Sequence, residues 1–348
     1  MKTFAYFVEP ALYSIDLSVN IYDKMNIGYC FIKDSTYSKS SFNKNLVYLS
    51  SFSFFSRVLF ILKQHKLNDN LIINGYNNLP FIISFLANLF FLKKVNIAIE
   101  SDTQYQIPKN YLKRFVKYLY LSIIFRNKKI FGFAGGSNSH MLLFKKYGMN
   151  TERIFLMPLM VNNSRFFTKK KVFPKIFTFL YVGRLIKRKN VESLINVFNK
   201  KFSEHKVVLK IIGSGREESF LRNKYSSSKV IFLGPLFENE LIKEYHSASC
   251  FVIPSLFEPW GLVVNEALSA SLPVISLENI GANFDLIKSK NTGEIASDMN
   301  TFGDIMVKFL IDKKILIEYS NNAKYTMQNI WNYNYYQTCL IKALKEIR

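Results

Sequence analysis

Acidic side chains are scarce in this chain. Its 348 residues include 25 Asp and Glu against 47 Lys and Arg, a formal net charge of +22. A positive field of that size favours an anionic partner, whether nucleic acid, a phosphorylated ligand or an acidic membrane surface, without choosing among them. The excess is uneven: residues 1–166 hold 21 Lys and Arg against 8 Asp and Glu (+13), and the remainder hold 26 against 17 (+9). Cysteine is nearly absent as well. Cys30, Cys250 and Cys339 are odd in number, far apart and set among apolar residues, which excludes a disulfide framework or a zinc site and points to a reducing compartment. His65, His205 and His246 are isolated and suggest no metal, and His140 reads as a helix-start residue.

No leader is expected either. Met1-Lys2-Thr3 runs straight into Phe4 to Val8, which reads as a first buried strand and not as a signal peptide with a cleavage site. One stretch, between Asp69 and Lys93, carries no charge, yet Asn70, Asn74, Asn77, Asn78, Pro80 and Asn88 interrupt it. A membrane span needs ~20 predominantly apolar residues. The stretch is better read as a strand (Leu71 to Ile73), a loop and a core helix (Pro80 to Leu92). There is no internal repeat of the solenoid kind.

What is present is an alternation of strand and helix patterns, the mark of α/β architecture with mainly parallel sheets. Apolar content of 49% over this length suits two packed cores. The second half is clearest, with strands expected at Phe177 to Gly183, Val207 to Gly213, Val230 to Gly234, Phe251 to Pro254 and Pro273 to Ser276 and helices between them. From about Asn300 only helices are expected. The polar, basic stretch Val161 to Lys175, ending near Pro174, reads as a linker.

Ligands of a doubly wound sheet bind where strands end and helices begin. Arg184, Gly213-Ser214-Gly215, Pro235 and Glu258 all come directly after strands in this half. Gly213 to Glu218 is no dinucleotide fingerprint, because Glu218 occupies the third glycine position, where close helix packing needs a small residue. Arg184 and Lys189, flanking a helix start, have the chemistry of a diphosphate site. A solvated basic loop is the other reading, since Lys187 and Arg188 lie there too. Glu258 and Glu266 straddle a strand-to-helix turn. On the helical wheel Glu266 borders the stripe of Val263 and Ala267, where a carboxylate is costly unless paired. In the first half, Tyr111 to Lys129 interleaves bases with aromatics at helical spacing. It fits either a helix lying on anionic lipid or one packing its apolar face on its own domain.

Val182-Gly183-Arg184-Leu185, Lys189-Asn190, Glu258 with Glu266 eight residues on, and Leu272-Pro273-Val274-Ile275, in this order, resemble glycosyltransferase family 4. The resemblance covers residues 137 to 295 well and the first 136 only in general layout. It implies the GT-B architecture: two Rossmann-like doubly wound α/β domains facing across a cleft. The expected division is an acceptor-binding domain at 1–165, a nucleotide-sugar-binding domain at 166–325, and a helix at 326–348 packing back on the first domain.

The resemblance also implies a retaining, metal-independent transferase that moves a hexosyl or N-acetylhexosaminyl group from a nucleotide-sugar donor, with no cofactor. Its acceptor is expected to be a glycan, lipid-linked, in cell-surface polysaccharide synthesis of the O-antigen, lipopolysaccharide or capsule type. The amino terminus and cysteine usage add a cytoplasmic setting, the bases and aromatics of the first half a peripheral place on the inner face of the membrane, and the absence of a recognition module no nucleic acid partner. By the same resemblance Arg184 and Lys189 hold the diphosphate, Glu258 the donor sugar and Glu266 the ribose. Amides around Gly261 and Leu262 add to the phosphate site; Gly183, Gly213, Gly215, Pro235, Leu236 and Trp260 complete the donor set. The chain departs from the family after its first strand, where Phe7 to Ser14 has no glycine, and after a middle strand, where Glu100-Ser101-Asp102 stands in place of a histidine. Glu100 and Asp102 are the acceptor-side candidates, with a strand-end cap as the alternative. Rival activities are a sugar-nucleotide isomerase or epimerase of the same architecture and a basic nucleic-acid-binding protein.

Overall fold

The structure is a computed structural model that describes residues 1–34, 46–90, 93–169 and 171–347. It contains two units: Met1–Met160 together with Tyr333–Arg348, and Val161–Asn332. In the first, β1 (Thr3–Phe7), α1 (Leu12–Leu17), β2 (Gly28–Phe31), α2 (Phe54–Leu67), β3 (Asn70–Asn74), α3 (Leu79–Phe90), β4 (Asn96–Ser101), α4 (Tyr111–Arg126), β5 (Ile130–Ala134), α5 (Ser139–Lys146) and β6 (Ile154–Leu156) alternate. The strands form one parallel sheet in the order β2-β1-β3-β4-β5-β6. Their residues are apolar on both faces (Leu71, Ile72 and Ile73 are all fully buried), as a sheet covered by helices on both sides requires. Among the described residues α3 runs to Phe90; the two further residues expected in it, 91 and 92, lie outside the described residues.

The second unit repeats the plan. It runs β7 (Phe177–Val182), α6 (Val191–Phe202), β8 (Val207–Ile212), α7 (Glu218–Tyr225), β9 (Val230–Gly234), α8 (Glu238–Ser247), β10 (Cys250–Ile253), α9 (Leu262–Ser269), β11 (Val274–Leu277), β12 (Gly293–Ala296), α10 (Met299–Ile311) and α11 (Lys313–Tyr325). The parallel order is β12-β11-β10-β7-β8-β9. Helix α6 shows why the pattern is readable: Val191, Leu194, Ile195, Phe198 and Phe202, spaced on one helical face, are all buried against the sheet. The last helix, α12 (Tyr333–Glu346), belongs to the first unit, where Asn96 donates to the carbonyl of Ile347 at 2.5 Å.

The stretch expected to be a linker is instead part of the second unit. Val161 and Phe166 are buried. The side-chain amide of Asn163 donates to the carbonyls of Met327 (2.8 Å) and Trp331 (2.7 Å), so the beginning and end of the unit are clasped together. Its boundaries therefore fall at 160/161 and 332/333, several residues from those expected. Polar composition suggests a solvated tether, but single apolar residues, the Asn163 amide and the Lys171 ammonium, which donates to the carbonyls of Tyr245 (3.3 Å) and His246 (2.8 Å), hold it down.

Candidate active site

At the carboxyl ends of β7, β8 and β9 three loops are tied together by their backbones. Gly183 N–H donates to Ile212 (3.0 Å), Leu185 to Ser214 (2.8 Å), Glu217 to Leu185 (3.0 Å) and Gly213 to Gly234 (2.8 Å). Glycine is demanded here by close approach. A Cβ on Gly213, whose φ is +128°, would lie 2.0 Å from the carbonyl oxygen of Gly183, and one on Gly215 would lie 2.3 Å from that of Leu185. These glycines thus build the rim by backbone packing alone. Pro235 is exposed and Leu236 half-buried just beyond it.

The next strand end brings a cation and an anion together. Leu256 N–H donates to the carbonyl of Arg188 at 2.9 Å, and the Asn190 side chain donates to that of Pro254 at 3.2 Å. Asn190 is held left-handed (φ 58°) at the start of α6. So clamped, the turn Lys187–Lys189 directs the Lys189 ammonium onto Oε1 of Glu258, an ion pair with only 14% and 7% of the two side chains exposed. The solvated-loop reading is corrected for Lys189 and holds for the exposed Lys187. Arg184 is exposed on the same connection, and its carbonyl accepts from the Tyr181 hydroxyl at 3.1 Å. Desolvating an ion pair is costly and seldom adds net stability, so such a pair at a strand end is a candidate site.

Glu258 is fixed through its own backbone, N–H to Asn279 O (2.9 Å) and carbonyl from Gly281 N–H (3.2 Å). Gly261, at φ +97°, then turns the chain into α9, whose amino end therefore lies at the same strand end. One turn further on, the half-buried Glu266 accepts from the Tyr245 hydroxyl of α8 at 2.7 Å. Burial raises its carboxyl to about 7, against the opposing pull of that hydrogen bond. Tyr245 is thus the partner that Glu266 needs. Trp260 does not join the rim: its ring is buried, lies stacked on Trp331 (5.7 Å between centroids, 13° between planes) and donates Nε1–H to Asn265 at 2.8 Å. It is a pillar under α9, and its place in the expected donor set is corrected accordingly.

The first unit has its own cavity of about 560 Å³ at the carboxyl ends of its strands, lined among others by Tyr13, Asn74, Tyr76, Glu100, Asp102 and Tyr336. Glu100 is buried, with Oε2 accepting from the Asn74 amide (2.9 Å) and Oε1 from the Tyr336 hydroxyl (3.2 Å). Tyr336 in turn shares a 3.0 Å hydrogen bond with Tyr22. Burial raises the Glu100 carboxyl to about 7; the two hydrogen bonds pull it down and Asp102 pushes it up. The side chain is thus a cavity wall and not a strand-end cap, while Asp102 is exposed beside it. Neither Tyr245 nor Tyr336 is a residue that sequence reasoning singles out. Tyr336 lies 236 residues from Glu100, a distance no local pattern bridges.

Residues 163–326 match the family model of the glycosyl transferases group 1. Among similar proteins, an uncharacterised glycosyltransferase of Methanocaldococcus jannaschii is 37% identical over 118 residues, 33% of this chain and 30% of the relative. The UDP-Gal:alpha-D-GlcNAc-diphosphoundecaprenol alpha-1,3-galactosyltransferase of Escherichia coli is 28% identical over 167 residues, 45% of this chain and 42% of the relative. The alignments thus span less than half the length of these relatives. Among solved structures, HepE of Anabaena in complex with UDP superposes with a TM-score of 0.78 at 13% identity, covering 99% of this chain and 100% of that one. Two α/β units of six parallel strands each, matched along their whole length by such structures, make this a GT-B fold. The matched family segment is the second unit, which carries Lys189, Glu258 and Glu266.

Proposed function

We propose that the chain is a glycosyltransferase that takes its sugar from a nucleotide-sugar donor held by the second unit. One observation carries the reading: the largely buried Lys189–Glu258 pair at the strand ends, in the segment that matches the family model. Breaking the bond between a sugar and a nucleoside diphosphate puts positive charge on the anomeric carbon and negative charge on the departing phosphate. Arg184, the Lys189 ammonium and the amino end of α9 stabilise that phosphate as it leaves. Glu258 both holds Lys189 in place and offers an acceptor to donor sugar hydroxyls, and Glu266 does the same for the ribose. With fixed cations in that role the reaction is metal-independent, and it retains anomeric configuration as the family resemblance implies.

The acceptor is assigned to the cavity of the first unit, where Glu100 and Asp102 accept hydrogen bonds from glycan hydroxyls. A lipid-linked glycan of a cell-surface polysaccharide is the proposed class, supported by the diphosphoundecaprenol-linked acceptor in the name of the Escherichia coli relative. The test is product analysis: incubation with labelled nucleotide sugars, with and without cell membranes as the acceptor source. Label should move into a lipid-soluble glycan as nucleoside diphosphate is released, with or without chelator. In Lys189→Ala or Arg184→Ala the rate should fall about 10²–10³-fold, the usual cost of one lost oxyanion donor. A new nucleotide sugar formed without acceptor would instead establish an isomerase.

A further inference from the structure

The cavity of the first unit is acidic in a strongly basic chain. Among the described residues that line it, Glu9, Glu100 and Asp102 are acids and the exposed Lys33 is the one base. The whole sequence has the opposite balance, 47 Lys and Arg against 25 Asp and Glu. The three carboxyls converge on one point. Burial first, then the charges of Asp102, Glu9 and Glu100, lift the hydroxyl of Tyr13, on α1, to about 12. The wall also offers acceptors. The Asn74 side chain donates to Glu100 at 2.9 Å, and its own buried Oδ1 has no hydrogen-bond partner among the described residues.

The turn between β1 and α1, where the sequence has no glycine, withholds what an anion needs. Glycine-rich turns cradle phosphates because their backbone amides are free to face the ligand. Here Pro10 has no amide hydrogen, and Ala11 gives its own to the carbonyl of Glu9 at 2.9 Å. The Ser14 hydroxyl closes the turn, 2.8 Å from the carbonyls of both Glu9 and Ala11. What this turn contributes to the cavity lining is the Glu9 side chain and the Tyr13 ring.

An anion entering the cavity meets like charge at Glu9 and Asp102, whereas a hydroxyl brings a hydrogen to groups that accept one. Tyr13 and Tyr76 supply aromatic lining, and the Tyr76 ring is held edge-on against Phe125 (6.0 Å between centroids, 88° between planes). A volume of about 560 Å³ with aromatic walls and a few polar groups is that of a small-molecule pocket. We propose that this cavity selects a sugar without an acidic group and turns away uronates and sugar phosphates. That the sugar is the acceptor rests on the transferase reading; the charge preference does not.

Saturation-transfer NMR on the whole protein tests it with matched probes: the methyl glycosides of glucose, galactose and mannose, those of the corresponding uronic acids, and glucose 6-phosphate. At least one neutral glycoside should receive signal from the protein and lose it in Tyr13→Ala, and at equal concentration no anionic probe should displace it. Glu9→Gln/Asp102→Asn alters two exposed residues and should keep the wild-type unfolding midpoint, while the matching uronate should bind about tenfold better than to wild type as the repulsion is removed. No binding by any neutral glycoside, a signal retained in Tyr13→Ala, displacement by an anion in wild type, or uronate affinity unchanged in the double variant would overturn the charge preference. The unfolding midpoint with nucleoside diphosphates separates the two readings. Neutral glycosides bound as expected by a protein that no nucleoside diphosphate stabilises would overturn the transferase reading alone. Nucleotide stabilisation together with displacement by uronates would overturn the charge preference alone.

Discussion

Glu266 shows how a single carboxyl joins packing to binding. It titrates at about 7 because burial disfavours its charge. Ribose hydroxyls donate hydrogen bonds, which an ionised carboxylate accepts better than a neutral one. With the ribose contact proposed for Glu266, a nucleotide should bind the deprotonated form preferentially, and its affinity should rise as pH climbs through about 7. Calorimetric titration of a nucleoside diphosphate across that range checks this, with Glu266→Gln expected to bind weakly and without the pH dependence. Glu100 titrates in the same range, so Glu100→Gln, remote in sequence and in the other unit, serves as the control that keeps the dependence. At this scale the sequence is informative about which groups carry charge near strand ends and silent about their partners. Glu258 and Lys189 stand out, yet their direct pairing is set by the clamp between Arg188 and Leu256. Tyr245 looks like an ordinary helix residue in the sequence, and Trp260 looks like a rim residue although its ring is stacked on Trp331.

Among elements, the rim of the proposed donor site depends on three loops that fit only because glycines lie between them. Gly213→Ala introduces a methyl group at a left-handed backbone position, against the carbonyl of Gly183. Neither partner is the flexible end of a side chain, so the loops must separate. The expected result is a loss of roughly 1–3 kcal/mol of stability together with at least about tenfold weaker nucleotide binding, since one misplaced strand end also moves Leu185 and the 183–189 connection. Equal melting midpoints and affinities for variant and wild type would show that the rim is slack. Elements with a strong period are legible in the sequence: α6 by its 3.6-residue stripe, the β strands of the second unit by continuous apolar runs between turn residues. Elements held by isolated contacts are not. The 161–175 stretch reads as a tether because its anchors are isolated residues, among them Val161, Asn163, Phe166 and Lys171. Helix α4 has two readings of equal standing in the sequence, and only the burial of Leu121 and Phe125 shows which side faces out.

For the whole molecule, the +22 charge is unevenly placed. In the second unit a few bases stand at strand ends, where a diphosphate would be held. In the first, residues 103–151 carry no Asp or Glu. Salt should weaken interactions of the exposed bases more than those of the enclosed pair, because screening acts most strongly on exposed charges. The repeated plan of two parallel sheets explains why the alternation of apolar runs and helical stripes is enough to read the chain as α/β. It also explains why function lies in the loops and helix starts at the strand ends and not in the strands themselves. The most direct test is thermal unfolding of wild type and Lys189→Ala against a panel of nucleoside diphosphates and nucleotide sugars. At about 100 times its dissociation constant a ligand of the native state adds about 2.7 kcal/mol. At least one nucleoside diphosphate, and its sugar conjugate, should raise the wild-type midpoint by several degrees, and at the same concentration should leave Lys189→Ala nearly unmoved. A wild-type midpoint indifferent to the whole panel, or equal shifts in the two proteins, would contradict a donor site built on Lys189 and Glu258.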